Sequence, residues 1–350
     1  METAKIEKMS QDLQNFIDRK TNENQQYNKL ETVIKKMNNN IEESQNNLYE
    51  EKANIENFIR TGKSGNLITK SLSGDNAEAG VVITPALSKK IVGAINEKSI
   101  MRQIASVENI SSRALDVISE DGSFVCGWVS EAQERAETET PKLVKKTIST
   151  HELYAQPKAT QSLINDAEIN IESWLIDRLS NSFTKLENSA FVTGDGNNKP
   201  HGLLSNNQIK TIDAGATVTA ELLVHAINSI DENYRANTSL LMNRNTLSAI
   251  QSLKDQNGRF IWQHSLSENM KQSIFGVPVH ICSEMPDVGQ DNLAIALGDF
   301  KAGYKIVDRN GINLLRDPYT DKPFVRFYAV KRVGADVVDS KAIKFLKFSA

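Results

Sequence analysis

Cysteine, long apolar runs and an excess of one charge sign are scarce or missing in this chain of 350 residues. The two cysteines, Cys126 and Cys282, lie far apart without metal-like spacing, so we expect no disulfide framework and a reducing cytoplasm as the compartment. No window approaches the ~18 apolar residues of a membrane helix, and the first residues lack the apolar run of a signal peptide. We therefore expect neither a membrane span nor a secretion signal.

The charge balance also argues against a nucleic-acid-binding function. Lysine and arginine number 41 and aspartate and glutamate 44, which gives a net charge of −3. Tight, non-specific nucleic-acid binding relies on a concentrated basic surface, so this balance argues against it. It does not exclude a protein that encloses DNA without gripping it.

The first 62 residues differ from the rest, because apolar residues recur there in a seven-residue a/d pattern with Asn, Gln, Glu and Lys between them. This pattern predicts a coiled coil or a long helical hairpin, and its simplest role is a solvated oligomerisation helix. Residues 63–80 are rich in Gly, Ser and Asn, which predicts an exposed linker open to proteases. The predicted seam consists of Ile6, Leu13, Leu30, Ile34, Ile41, Leu48 and Ile55.

Residues 124–163 resemble a long β-hairpin with a polar tip. FVCGWVSE predicts one strand, QERAETETPK the charged tip, and LVKKTISTHELYAQPKATQSLI a long returning strand. A hairpin of this length is a liability in a monomer and useful in an assembly in which a neighbour covers it. An ordinary surface hairpin is the alternative.

The stretch 166–204 predicts the longest helix of the body. Asp166 is a suitable N-cap, and Ile171, Leu175 and Leu179 begin an apolar stripe that we expect to continue through Ser182, Leu186 and Ala190. We expect Gly194-Asp195-Gly196 to end it, because glycine reaches left-handed backbone angles at little cost. A helix of about six turns is long enough to act as a strut.

Other segments predict an α+β body. Thr84-Pro85 predicts the start of a helix, and a strand is expected near 104–110. After Leu204 we expect helices at 220–234 and 244–255, several short strands, turns at 301–303 and 309–311, and a long strand near the end.

No motif predicts catalysis. GDGNNKPHG lacks the spacing of a phosphate loop, and its glycines end a helix instead of beginning one. His280, Cys282 and Glu284 alternate without further ligands, and no serine lies in a nucleophile elbow. We therefore expect no enzyme activity, no cofactor and no metal.

The order of these features resembles the Hong Kong 97-like major capsid proteins of tailed bacteriophages. The strings that carry the resemblance are AGVVITPALSKKIV, WVSEAQERAETE, the helix with its GDGNNKPHGLL turn, FGVPVHICSEMP, ALGDFKAGYKIVDRNGINLLRDPYT and FYAVKRVGADVVDSKAIKFLK. They cover roughly residues 75–350, whereas the first 70 match by position and character only.

The resemblance implies an α+β Hong Kong 97-like capsid fold with a long spine helix, a projecting extended loop and a scaffold-like coiled coil. It implies these divisions: 1–62 scaffolding (delta) domain, 63–80 linker with the cleavage region, 81–123 N-terminal arm and start of the shell domain, 124–163 extended loop, 164–214 peripheral domain with the spine helix, 215–310 axial domain, and 311–350 return to the peripheral domain. We expect the assembly residues to be Glu131, Arg135, Glu137, Lys142, Leu175, Leu179, Leu186, Gly194, Gly196, Pro200 and Gly202.

The implied function is a phage-head subunit that assembles in the bacterial cytoplasm through pentamers and hexamers around DNA. Implied partners are further copies of the chain, a portal protein and a prohead protease that cuts between Thr69 and Gly80. Some family members cross-link a loop lysine to an asparagine, but no matching asparagine and glutamate are found near the end of this sequence, so we expect no cross-link. An encapsulin-like compartment, a gene-transfer-agent shell, and a hydrolase or binding protein oligomerised by its coiled coil are the alternatives.

Overall fold

The computed structural model describes residues 85–121, 142–165, 171–254, 258–260 and 273–349. All of them belong to one unit, Thr69–Ala350. The predicted coiled-coil seam, the linker, the strand FVCGWVSE and the predicted N-cap Asp166 lie outside the described residues. So do three predicted assembly residues, Glu131, Arg135 and Glu137.

The helices of the described residues are α1 Pro85–Lys98, α2 Ile100–Ile104, α3 Gln161–Asn165, α4 Ile171–Thr193, α5 Ala220–Asn228, α6 Glu232–Arg235, α7 Arg244–Gln251 and α8 Phe300–Gly303. The strands are β1 Ser106–Ile110, β2 Ala114–Asp121, β3 Lys142–Ser149, β4 His151–Ala155, β5 Lys158–Thr160, β6 Lys210–Asp213, β7 Ser239–Met242, β8 Ser273–Ile274, β9 Val277–Ile281, β10 Leu293–Gly298, β11 Tyr304–Asp317, β12 Phe324–Val337 and β13 Ile343–Lys347.

A five-stranded sheet supports the long helix α4. Its order is β1-β11-β12-β4, with β5 also paired to β12. Along β12 every second side chain is buried, from Val325 and Phe327 to Lys331 and Val333, which is the period of a strand with one face in the core. Helix α1 packs against both α4 and β11 and closes the layer above this face.

A six-stranded sheet of order β6-β13-β10-β7-β9-β8 forms the second core. Leu223 and Ala226 on the inner face of α5, with Ile230 just after its end, pack there against Leu240 and Leu297. Strand β13 pairs with β10 and β6 in this sheet. Residues 343–347 therefore do not return to the five-stranded sheet, as the predicted division at 311–350 implied, because their strongest backbone partners lie in 210–298.

The prediction of one continuous returning strand over 143–164 is wrong. Strand β3 pairs with β2 in a separate two-stranded ladder, whereas β4 and β5 join β12 and the chain then turns helical at Gln161. Pro157, which has no N–H to donate, lies between β4 and β5. The partner of β3 is Ala114–Asp121, ten residues earlier than the predicted start of the hairpin at 124.

Two predicted turns have other structures. Residues 309–311 form a bulge inside the continuous strand β11, in which Asn310 and Gly311 have φ values of 55° and 67°. The sequence signal for positive φ was correct, but β12 runs past it and keeps the ladder paired on both sides. Residues 301–303 lie in the one-turn helix α8, whose N-cap Asp299 accepts hydrogen bonds from the N–H groups of Lys301 and Ala302.

Candidate functional site

The buried face of α4 runs through Leu175, Leu179, Phe183, Glu187 and Phe191. These residues are four apart, and each step of four turns the position by about 40° around a helix of 3.6 residues per turn. The stripe therefore winds around the helix, which crosses its support obliquely. The prediction that Ser182 and Leu186 continue the buried stripe is wrong, since Ser182 is exposed and the Leu186 side chain is 51% exposed.

Four buried charged side chains connect α2, α4, β11 and β12. Arg102 Nε donates to Glu187 Oε2 at 2.7 Å, and its two terminal nitrogens donate to the two Asp308 oxygens at 2.6 and 2.9 Å. Lys331 Nζ donates to Glu187 Oε1 at 2.7 Å and lies 3.5 Å from Asp308 Oδ1. We call these four residues the charge tetrad. It joins the middle of the long helix to the sheet beneath it.

The tetrad has two positive and two negative groups, so its charge balances where water cannot screen it. Burial alone would raise the pKa of Asp308, but the hydrogen bonds and charges of Arg102 and Lys331 outweigh it and lower that pKa. Burial alone would lower the pKa of Arg102, but Asp308 and Glu187 outweigh it and raise it. Asp308 and Arg102 are thus held in their charged forms, and the removal of any one of the four side chains leaves an unpaired charge in the interior.

Sequence reasoning missed the tetrad, although signals for it existed. Glu187 lies four residues from Phe183 and from Phe191, and is therefore a charge at an inward position of an amphipathic helix. Lys331 likewise interrupts the inward apolar series of β12. A charge at a core position predicts a buried partner, but the identity of the partner depends on the tertiary fold.

The turn GDGNNKPHG ends α4 through close backbone contacts. The Gly202 N–H donates to the Gly194 carbonyl at 2.8 Å, and a Cβ added to Gly194 would lie 2.1 Å from the Pro200 carbonyl oxygen. Gly194 is thus required for space, whereas Gly196, with φ at 77°, supplies the left-handed conformation that we expected at the helix end. The four predicted turn residues, Gly194, Gly196, Pro200 and Gly202, are brought together.

Tyr304 ties this turn to β11. Its buried hydroxyl donates to the carbonyl oxygens of His201 and Phe191, at 2.7 and 3.1 Å. Burial raises the pKa of this hydroxyl well above its ordinary value, so it stays a donor. The C-terminal end of α4 is therefore held at two places, by the tetrad and by this tyrosine.

The exposed side of α4 borders a groove of about 210 Å³ that His151, Leu153, Leu186, Ala190 and Val333 help to line. Burial lowers the pKa of His151, which keeps the imidazole neutral near pH 7. The groove therefore offers apolar contact area beside the helix.

The two-stranded ladder leaves the sheet at its base. Lys146 Nζ donates to the Val337 carbonyl at 2.7 Å and pairs with Asp336 at 2.9 Å, which anchors the ladder to β12. Predicted assembly residue Lys142 is the first residue of β3 and pairs in register with Asp121 at the far end. The segment 122–141 therefore joins the ladder at the end distant from its anchor.

Within the described ranges, no group of three or more His, Cys, Asp or Glu side chains is placed to hold a metal ion. Cys282 is buried, and burial raises the pKa of its thiol, which disfavours the reactive thiolate.

No described helix combines the length and the apolar character needed to cross a membrane.

The described fold is similar to that of solved capsid structures. The protein is similar to the capsid of a native GTA particle, with 36% identity and a TM-score of 0.64, over 82% of this chain and 97% of that one. It is 23% identical over 260 residues to the major capsid protein of Enterobacteria phage HK97 and 22% identical over 264 residues to that of Escherichia phage T5. Those matches include 71% of this chain but 64% and 57% of the two relatives, less than two thirds of either.

Residues 79–348 match the phage capsid family, and the chain belongs to that family.

Proposed function

We propose that the protein is a major capsid subunit that assembles through pentamers and hexamers into a closed icosahedral shell. The observation that carries this proposal is the 36% identity to a GTA capsid, over nearly the whole of that chain. The fold supports it, because α4 is held rigidly on its inner side while Leu186 and the groove beside it stay open to a neighbour. The role is structural, without a catalytic step.

Assembly by many weak contacts suits the charge and surface of this chain. Each contact of modest area contributes little, but repeated contacts around a closed shell add through multivalency. After residue 70 the chain has thirty basic and thirty-three acidic residues, which repels enclosed DNA slightly and avoids irreversible binding. The shell therefore encloses double-stranded DNA without a dedicated binding site.

We further propose roles for the parts of the fold. Helix α4 is the spine helix of a peripheral domain, the ladder of β2 and β3 is the base of the extended loop, and the six-stranded sheet is the core of the axial domain. The pairing of β13 supports an axial domain that includes 343–347 in addition to 215–298. The buried Leu175 and Leu179 act by holding α4 in place, and Leu186 acts by direct contact with a neighbour.

The N-terminal 62 residues are proposed to act as an internal scaffold, removed by a prohead protease between Thr69 and Gly80. The support is the heptad pattern followed by a linker, directly before the family match begins at residue 79. N-terminal sequencing of subunits from mature particles tests this part. Subunits that still begin at Met1 contradict it, and a new N-terminus at 70–80 supports it.

The contents of the shell separate two versions of this proposal. A phage head requires a portal protein and holds one phage genome, whereas the 36% identity to a GTA capsid favours a related particle as the second candidate. Sequencing the DNA from purified particles distinguishes them: one repeated genome indicates a phage head, and fragments of host DNA indicate the second candidate.

Electron microscopy of the full-length protein after expression tests the shell function itself. We expect closed shells, or rings of five and six subunits, and sedimentation far above that of a 38.9 kDa monomer. A stable small trimer with hydrolase activity contradicts the proposal and favours the coiled-coil enzyme alternative. Shells that hold an enzyme cargo and no DNA favour the encapsulin-like alternative.

A further inference from the structure

A row of charged side chains crosses the outer face of the five-stranded sheet, opposite the face that holds the charge tetrad. The register places Arg309 of β11 opposite Arg332 of β12, and Arg332 opposite Glu152 of β4. Arg332 Nη2 lies 3.1 Å from Glu152 Oε2, and Arg309 Nε donates to the Ser111 carbonyl at 3.2 Å. Two arginines are therefore direct cross-strand neighbours, and only one of them has an acidic partner within the described residues.

A third arginine completes a cleft at the base of the ladder. Arg113 precedes β2, and its carbonyl accepts hydrogen bonds from the N–H and hydroxyl of Thr150. Arg113, Arg309 and Arg332 line a cleft of about 280 Å³ together with Thr150 and Glu152. We call it the arginine cleft. Like charges directly opposite each other destabilise a sheet, so a cleft of three arginines and one glutamate is suited to an additional anion.

The residues beside the arginine cleft indicate what kind of anion binds. The next positions on this face carry Tyr154, opposite Val330, and Tyr328, opposite Leu315. The Tyr154 side chain is 63% exposed, and its ring centroid lies 6.5 Å from that of Tyr328. Exposed tyrosine beside arginine is the composition of protein-binding hot spots, so the face fits a peptide with carboxylates and apolar side chains better than a free phosphate.

The chain itself contains a segment of this chemistry. Residues 131–139 hold four glutamates and one arginine, directly after the apolar and aromatic residues of 124–129. The eight-residue ladder separates the arginine cleft from Asp121 and Lys142 by about 27 Å. Glu137 and Glu139 precede Lys142 by five and three residues, which span at most about 18 and 11 Å. The backbone at Glu137 and Glu139 therefore falls short of the cleft of its own chain.

We propose that the arginine cleft binds carboxylates of the acidic segment 131–139 of a second copy of this chain. The proposal rests on the proposed function, since it names the surface on which the hairpin of one shell subunit docks. Arg309 and Arg113 supply positive charges that have no acidic partner among the described residues, and the two tyrosines cover the apolar part of the segment.

Peptide binding tests the arginine cleft without assembly. The probe is a fluorescent peptide of residues 128–140, titrated with a full-length variant in which Glu131, Glu134, Glu137 and Glu139 are all changed to Gln, so that the cleft has no internal competitor. Arg309→Glu in that background should lower the affinity about tenfold or more, and the affinity should fall as NaCl rises from about 0.05 to about 0.3 M. Arg244→Glu, an exposed change on α7, is the matched control and should leave the affinity unchanged.

Charge exchange in the assembling protein is the second measurement. Arg309→Glu alone should abolish or strongly reduce shells in electron micrographs, and the combination Arg309→Glu with Glu137→Arg should recover part of them. If wild-type protein forms shells and Arg309→Glu forms them equally well, the cleft proposal is overturned while the shell function stands. If wild-type protein forms none, the shell function fails, and peptide binding still decides the cleft.

Two further results would also overturn the proposal. One is an unchanged affinity for a peptide in which the four glutamates are glutamine. The other is a cleft that binds a double-stranded DNA fragment in an Arg309-dependent way but does not bind the peptide, because this would identify a phosphate site.

Discussion

Charged side chains are balanced on the inner face of the five-stranded sheet and unbalanced on its outer face, as two adjacent residues of β12 show. Lys331 points inward and lies with Arg102, Glu187 and Asp308 in a closed set of two cations and two anions. Its neighbour Arg332 points outward into a cleft with more positive than negative groups. A buried charge must be balanced within the subunit, since no solvent screens it. An exposed excess of positive charge is tolerated in the monomer and is available to bind a partner.

The largest loss of stability should follow from a substitution in the charge tetrad. Glu187→Gln leaves the two buried cations Arg102 and Lys331 with one carboxylate, Asp308, and we expect a loss of about 3–5 kcal/mol in the free energy of unfolding. Urea unfolding followed by circular dichroism measures it. An apolar replacement of all four tetrad residues by Met or Leu is the control and should recover much of the loss. A loss below about 1 kcal/mol for Glu187→Gln contradicts the proposed balance.

Two leucines, one on the inner and one on the outer side of α4, allow the two sides of the helix to be compared. Leu179→Ala removes a fully buried side chain and should cost about 2–5 kcal/mol in unfolding free energy. Leu186→Ala should change that free energy by less than about 0.5 kcal/mol and instead reduce the yield of shells. Chemical unfolding and electron microscopy on the same two variants measure both effects. Equal destabilisation by the two changes would show that Leu186 is part of the subunit core.

Acid should weaken the inner face of the sheet, where Asp308 lies. The pKa of Asp308 is lowered in the folded protein, so its ionised form stabilises the fold above the ordinary pKa near ~3.9 and this contribution is lost as the pH falls below that value. Melting temperatures from about pH 6 to about pH 3 should therefore decline less steeply for Asp308→Asn than for the wild type. Glu152→Gln serves as the control and should keep the wild-type slope. If the melting temperature of Asp308→Asn declines with pH as steeply as that of the wild type, Asp308 is not the source of this pH dependence.

The smallest change in stability should come from the exposed ion pair on the outer face of the sheet. Arg332 and Glu152 are each 47% exposed, so their ion pair is screened by water and salt. Glu152→Gln should change the unfolding free energy by about 0–1 kcal/mol, in contrast to the same chemical change at Glu187. It should also tighten the binding of peptide 128–140, because it removes the one carboxylate that lines the arginine cleft within the described residues. Thermal unfolding and peptide titration of one variant test both statements.

The sequence predicted local structure well and long-range pairing poorly. The end of α4 just before Gly194 and the starts of the helices at Pro85 and Ala220 follow from caps, glycine and apolar spacing, which act within a few residues. The helix predicted for 220–234 is shorter, since α5 ends at Asn228 and a separate helix, α6, follows at Glu232–Arg235. The four-residue spacing of the buried residues of α4 was also present in the sequence. Leu186 was nevertheless predicted to be buried in place of Phe183, because the apolar stripe was assumed to run straight along the helix. The resemblance to capsid proteins rested on whole strings, and the family match at 79–348 confirms it.

The site depended on contacts that no local pattern specifies. Arg102 and Asp308 are 206 residues apart, and their pairing depends on the parallel alignment of β1 with β11 and on the position of α2. Asn310-Gly311 predicts positive φ correctly, but whether such a pair makes a turn or a bulge depends on the strand beside it. The arginine cleft likewise arises from a register between strands that are more than 150 residues apart, β4 and β12.

Strand β13 also sets a time at which the subunit can finish folding. It lies between β10 and β6, and within the described strands β6 has no other partner in the sheet. The six-stranded sheet therefore stays open on the ribosome until residues 343–347 have been synthesised and have left the exit tunnel. A chain that stops before residue 343 therefore lacks the strand that holds β6 in this sheet.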